Sequence, residues 1–140
     1  MEEHRVAQQP TDRTEIRSLL AMAAREMADA HAKDLSTDAR FAHAYSVARS
    51  LALAVVRAHG YRIKNQGGGH YNTFQALRAT DAEFAGKAQF FDQCREKRNT
   101  ILYDSVDGVT ATETEQLFVK VAAFEQAVID WLRQHHSELL

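Results

Sequence analysis

Apolar residues recur along most of the chain at steps of three, four and seven, the spacing of one face of a helix. Ile16, Leu19, Leu20, Ala23, Met27 and Ala30 set a first helix from about Asp12 to Lys33, with Thr11 as its expected N-cap. Phe41, Ala44, Tyr45, Ala48, Leu51, Ala52, Val55 and Val56 set a second from about Asp38 to Ala58, and Gly60 is its stop signal. Ala44, Ala48 and Ala52, at steps of four, would let a neighbouring helix approach closely. His59, at the end of this helix, reads as a packing or capping residue. Asn72 or Thr73 caps a short third helix with Phe74 and Leu77 inward. Thr80-Asp81-Ala82-Glu83 reads as a capping box opening a fourth helix that runs to about Tyr103. Thr112-Glu113-Thr114-Glu115 reads as a second box opening a last helix with Leu117, Val121, Phe124, Val128, Trp131 and Leu132. Strand-like alternation is absent.

These elements predict an all-α fold, an antiparallel four-helix up-and-down bundle with one additional short helix. Residues 1–10 are polar, hold the only proline and read as a flexible tail; residues 11–140 form one domain. Hydrophobic residues are 45% and charged residues 26% of the chain, which is ordinary for a globular protein. No apolar run approaches the roughly 18–20 residues of a membrane span, so no membrane association is expected. The N-terminus lacks an apolar signal core, so a cytoplasmic location is expected. The single cysteine, Cys94, has no partner for a disulfide or a cysteine-based zinc site and reads as a core residue.

The net charge of −2 hides an asymmetry. Residues 57–98 carry eight Lys/Arg against four acids, whereas residues 99–140 carry two against seven. The basic segment is either an attractor of phosphates or an ordinary solvated face. Within it the apolar stripe Phe84, Ala88, Phe91, Cys94, Ile101, Leu102 is interrupted by Arg98. A guanidinium keeps its charge, so this position must meet a carboxylate, a cleft or a second subunit. Arginine can clamp a phosphate, Asn99 beside it can hold a hydroxyl, and Tyr103 could donate or relay a proton. The competing reading pairs Arg98 with Asp104 or another acid as a structural ion pair. Arg98, Asn99 and Tyr103 are therefore the candidate catalytic residues, flanked by Arg95 and Asp104. The segment from Tyr61 to Tyr71, with three consecutive glycines, lacks the strand and Lys-Ser/Thr ending of a phosphate-binding loop. It is either a flexible connection or, through Arg62, Lys64, His70 and Tyr71, a nucleotide contact. No Glu-x-x-His pair is present, and His135-His136 point too far apart to chelate, so no metal site and no cofactor are expected.

The phrase Arg98-Asn99-Thr100-Ile101-Leu102-Tyr103-Asp104, late in a long helix, resembles the signature region of HEPN domains. Phe41-Ala42-His43-Ala44-Tyr45-Ser46-Val47-Ala48-Arg49 and Gly60-Tyr61-Arg62-Ile63 are also similar to members of that family, so the resemblance spans roughly residues 12–135. It implies a helical bundle, a homodimer with the arginine helices meeting, and RNA or a nucleotide as ligand. It also implies either a metal-independent ribonuclease or toxin–antitoxin component, or a non-catalytic module that partners a nucleotidyltransferase-like protein. The chain departs from the family where a histidine is expected, four to six residues after the arginine. Tyr103, Asp104 and Ser105 stand there, which counts against catalysis.

Overall fold

The structure is a computed structural model that describes residues 6–32, 34–64, 72–103 and 108–140, with the side chains of residues 100–103 outside that description. Its elements in chain order are β1 (Val6–Gln8), α1 (Arg13–Ala30), α2 (Thr37–Ala58), β2 (Tyr61–Ile63), α3 (Thr73–Thr80), α4 (Ala85–Tyr103) and α5 (Ala111–His135). Single 3₁₀ turns at Ala82–Phe84 and Ser137–Leu139 complete it. The described chain is mostly helical, as expected; the two short strands were not.

α2 is the central element, with α1, α3, α4 and α5 all packed on it. Its periodicity suggested a single apolar face. In fact Phe41, Ala44, Tyr45, Val47, Ala48, Leu51, Ala52, Ala54, Val55, Val56 and Ala58 are all buried, which covers most of its circumference. A helix apolar on nearly every side belongs in the middle of a core. α1 packs on it most extensively and buries only Ile16, Ala23 and Ala30, one residue every seven. Alanines on both helices keep that interface thin. α4 and α5 are held further apart by rings. Phe91 lies 5.0 Å and Phe84 5.8 Å, centroid to centroid, from Phe124, and Phe84 lies 6.0 Å from Trp131. The space left between α4 and α5 is an open groove of about 660 Å³ beside Phe90 and Val119.

The helix ends follow capping chemistry, with shifts from the expected residues. Asp12 caps α1 by accepting from the Glu15 amide at 2.9 Å, while Thr11 donates to the Glu15 carboxylate instead. α1 stops at Ala30, short of Lys33. Ser36 caps α2 and Asn72 caps α3 through a capping box with Gln75. Asp81 accepts from the Glu83 amide, but what it opens first is the 3₁₀ turn. The box that opens α5 is Thr110 with Glu113, two residues before the one expected. Just upstream, the Asp38 carboxylate accepts from the Val109 amide at 3.1 Å. A side chain at Gly108 would fall 2.9 Å from that carboxylate and would push Asp38 off the Val109 amide.

Residues 6–8, expected to be part of a tail, form β1. They pair antiparallel with β2, Val6 opposite Ile63 and Gln8 opposite Tyr61, and Val6 is buried. Three apolar or polar residues are too few for alternation to be read. What anchors them is Arg57, the only charged side chain among the described residues that is fully buried (5% exposed). Its guanidinium donates to the Gln9 carbonyl at 2.9 Å, the Tyr61 carbonyl at 2.6 Å, the Pro10 carbonyl at 3.0 Å and the Glu15 carboxylate at 2.9 Å. Replacing Arg57 with Met keeps the aliphatic bulk and removes every donor. Arg57→Met should lower stability by about 3 kcal/mol in urea denaturation. It should also erase hydrogen-exchange protection at the β1 amides, while α5 protection falls only with global stability.

Candidate functional site

From the 3₁₀ turn into α4 the line Phe84, Ala88, Phe91 and Cys94 is buried against the core, and the next position on that line, four residues on, is Arg98. The side chain is half-buried. Its guanidinium carbon lies 5.3 Å from the centre of the Tyr45 ring on α2. The cation therefore leaves the core across an aromatic face, a contact worth about 0.5–2 kcal/mol. Among the described residues no carboxylate pairs with Arg98. Asp104, the acid expected to plug it, lies outside the described residues.

One turn earlier on α4, Arg95 is tethered. Its Nε donates to Asp92 at 2.8 Å, and Asp92 also accepts from the Asn72 side-chain amide at 3.0 Å. Asn72 meanwhile caps α3 with its oxygen. The Asp92 bond holds the Arg95 guanidinium more firmly protonated than usual. Asp92 thus joins the start of α3 to the functional face of α4 and fixes where Arg95 points.

Tyr45 is 5% exposed. Its ring also packs edge-on against Phe74, centroids 5.8 Å apart. The charges that act on its phenol are Arg98, Arg49, Arg95 and, with opposite sign, Asp92. Burial raises the phenol above its ordinary value and outweighs the three guanidiniums, so Tyr45 is a neutral donor near pH 7. Arg49, one turn after Tyr45 on α2, is exposed and forms no ion pair with a described residue. Three guanidiniums from two facing helices thus act on one phenol, and among the described residues Asp92 and, at 4.0 Å from Arg95, Glu96 are the carboxylates beside them. This is a local excess of positive charge suited to an anion.

Asn99 is half-buried beside Arg98. Tyr103 ends α4, but its side chain, together with His70 and Tyr71, lies outside the description. Arg62 and Lys64 sit on and just after β2, beyond the C-terminal end of α2. They are roughly 20 Å along α2 from Tyr45 and are not among the charges acting on it. Tyr45, Arg49 and Asp92 are the residues that periodicity did not single out as functional. The available signal was Tyr45 followed four residues later by Arg49, a polar pair on one side of an otherwise apolar helix.

A second polar cluster lies at the far end of α2. His59 caps that helix, contacts the Asp81 carboxylate at 2.9 Å and packs on the Trp131 and His136 rings. His135 also packs on Trp131. Among the described residues no group of three His, Cys, Asp or Glu is placed to hold a metal ion.

No protein-family model matches the chain, and neither a curated protein nor a solved structure shows significant similarity to it.

Cys94 faces the core beside this site, and burial followed by the nearby Glu113 charge pushes its thiol up to about 12. The thiolate is the reactive form, so native Cys94 should label with a thiol reagent at pH 8 at least a hundredfold more slowly than in urea. The linkage has a definite sign. The folded thiol stays protonated while the unfolded one ionises near 9, so this contribution to stability is intact below pH 9. It is lost progressively as pH rises towards 12. Urea titrations of wild type and Cys94→Ala across pH 8–10.5 should show the wild type losing more stability over that range.

Proposed function

We propose that the cleft at Arg98 and Asn99 binds RNA or a nucleotide through its phosphates, in a HEPN-like homodimer built on a four-helix bundle with the short α3 added. The observation that carries this reading is the Arg98 guanidinium laid over the Tyr45 ring with no described carboxylate to neutralise it. A structural arginine in a core is normally consumed by its partners, as Arg57 is by four acceptors. Among the described residues no such acceptors take the donors of Arg98, and we read them as available to a ligand. Arg95, held in place by Asp92, adds a second cation, and guanidiniums match phosphoryl oxygens in both charge and fork geometry. The resemblance of Arg98–Asp104 to the HEPN signature points the same way and supplies the dimer. The arginine helices would meet across the interface, so two copies of the site would line one shared channel.

The cleft is proposed to bind rather than to cut. A general base near neutral pH is missing from the expected motif position. Tyr45, whose phenol is raised rather than lowered, cannot supply one. The test uses full-length protein, a fluorescein-labelled 12-nucleotide single-stranded RNA and EDTA throughout, with dimer content checked by light scattering. Wild type should bind the RNA and leave it intact. Arg98→Ala should fold and dimerise but bind at least tenfold more weakly. Cleavage by wild type that Arg98→Ala abolishes would instead make the cleft a metal-independent ribonuclease, and Tyr103→Phe would then show whether that tyrosine acts in it. Equal binding by wild type and Arg98→Ala would remove the reading.

A further inference from the structure

We infer that the seat for the phosphate is completed from α2, by the Tyr45 hydroxyl as a neutral hydrogen-bond donor and by Arg49 as a clamp opposite Arg98. This rests on the reading of the Arg98 cleft as a phosphate site and extends it to a second helix. Tyr45 and Arg49 are four residues apart on α2, and Arg95 and Arg98 are three apart on α4, so each pair shares one helix face. The two faces meet, because Arg98 covers the Tyr45 ring and all three guanidiniums act on the Tyr45 phenol.

Tyr45 is nine-tenths buried, yet its hydroxyl has no hydrogen-bond partner among the described residues. The buried tyrosine hydroxyl is also no sealed orphan, since no buried side-chain oxygen lacks a partner once it is shut off from solvent. The ring is therefore core, and the oxygen keeps some contact with solvent within the field of Arg98, Arg49 and Arg95. A tyrosine that served packing alone would do as well as phenylalanine there. A neutral O–H keeps its hydrogen, so among cations it can donate to an anion they attract. The ligand chemistry that uses all the groups at once is a phosphoryl group, with several acceptor oxygens and at least one negative charge. Both an RNA backbone and a free nucleotide carry it.

Tyr45→Phe removes only the oxygen and keeps the ring under Arg98, and Arg49→Ala changes an exposed side chain. Fluorescence anisotropy with the labelled 12-nucleotide RNA, and separately with a fluorescent ATP analogue, is read from 25 to 300 mM salt. The expected result is that Tyr45→Phe weakens binding about tenfold with an unchanged slope of log affinity against log salt, because no charge is lost. Arg49→Ala should weaken binding and flatten the RNA slope by about 0.7, one phosphate contact to a single strand. Whichever of the two probes wild type binds identifies the source of the phosphate, and the variants are judged on that probe. If Arg98→Ala loses binding while Tyr45→Phe and Arg49→Ala match wild type, the seat is not completed from α2 and the Arg98 reading stands alone. If wild type binds neither probe, both fall. Should Tyr45→Phe fail to reach the wild-type helical signal, Arg49→Ala decides, and wild-type affinity and slope in that variant overturn the inference.

Discussion

A charge buried without partners would cost more than a small domain can spare, and Arg57 is the place where this chain faces that problem. It lies near the end of the most buried helix, so its guanidinium cannot reach bulk water. The solution brings three backbone carbonyls and one carboxylate from separate stretches of chain to the same point. Gln9 and Pro10 come from the N-terminal segment, Glu15 from α1 and Tyr61 from β2. Meeting them forces the N-terminal strand alongside β2, seats Val6 in the core and locks the first turn of α1 against the end of α2. Each bond to the cation contributes only about 1.5–3 kcal/mol. Their structural consequence is larger, because they fix the entry and exit of the two helices that share the tightest interface.

With α2 held in that way, the remaining packing follows from residue size. Alanines on α1 and α2 bring two backbones close, while phenylalanines and Trp131 between α4 and α5 keep those helices apart. The apolar line of α4 runs in the core as far as Cys94 and leaves it at Arg98. The position of the Arg98 cluster is thus a consequence of where the core ends. Tyr45 marks the same boundary from the α2 side, with ring inside and oxygen outside.

The two conspicuous arginines of the chain therefore illustrate opposite outcomes. Arg57 gives four of its five N–H donors to acceptors and is structural. Arg98 lies over an aromatic ring and, among the described residues, has no carboxylate partner. Arg95 lies between these cases. Asp92 holds it by one nitrogen and is itself steered by Asn72, so the start of α3 helps to aim a cation on α4. The His59, Asp81, Trp131 and His136 cluster at the opposite end of α2 performs a comparable joining role, tying the α3–α4 corner to the last turn of α5.

Much of this was legible in the chain. Periodicity located all five helices, because a 3.6-residue repeat of apolar side chains is a local property that survives in any tertiary setting. The break in the α4 stripe at Arg98 was legible for the same reason, and so was the short α3 with its Asn72 cap. Caps two residues away from the expected ones, as at Thr110, show the usual limit: several Ser, Thr and Asp residues near a helix start compete, and packing selects one. Partnership was not legible. Arg57 and Arg98 look alike in sequence, each set among apolar neighbours, and only the folded chain brings carbonyls to one and a phenol to the other. The strand at Val6–Gln8 and the pairing of Tyr45 with Arg98 depend on contacts between residues more than fifty positions apart. Sequence by itself determined which segments are helical, but not how far round each helix the burial extends, as α2 shows. The tertiary structure alone decided which charges are neutralised and which remain open, because that depends on distances between segments that local pattern does not encode.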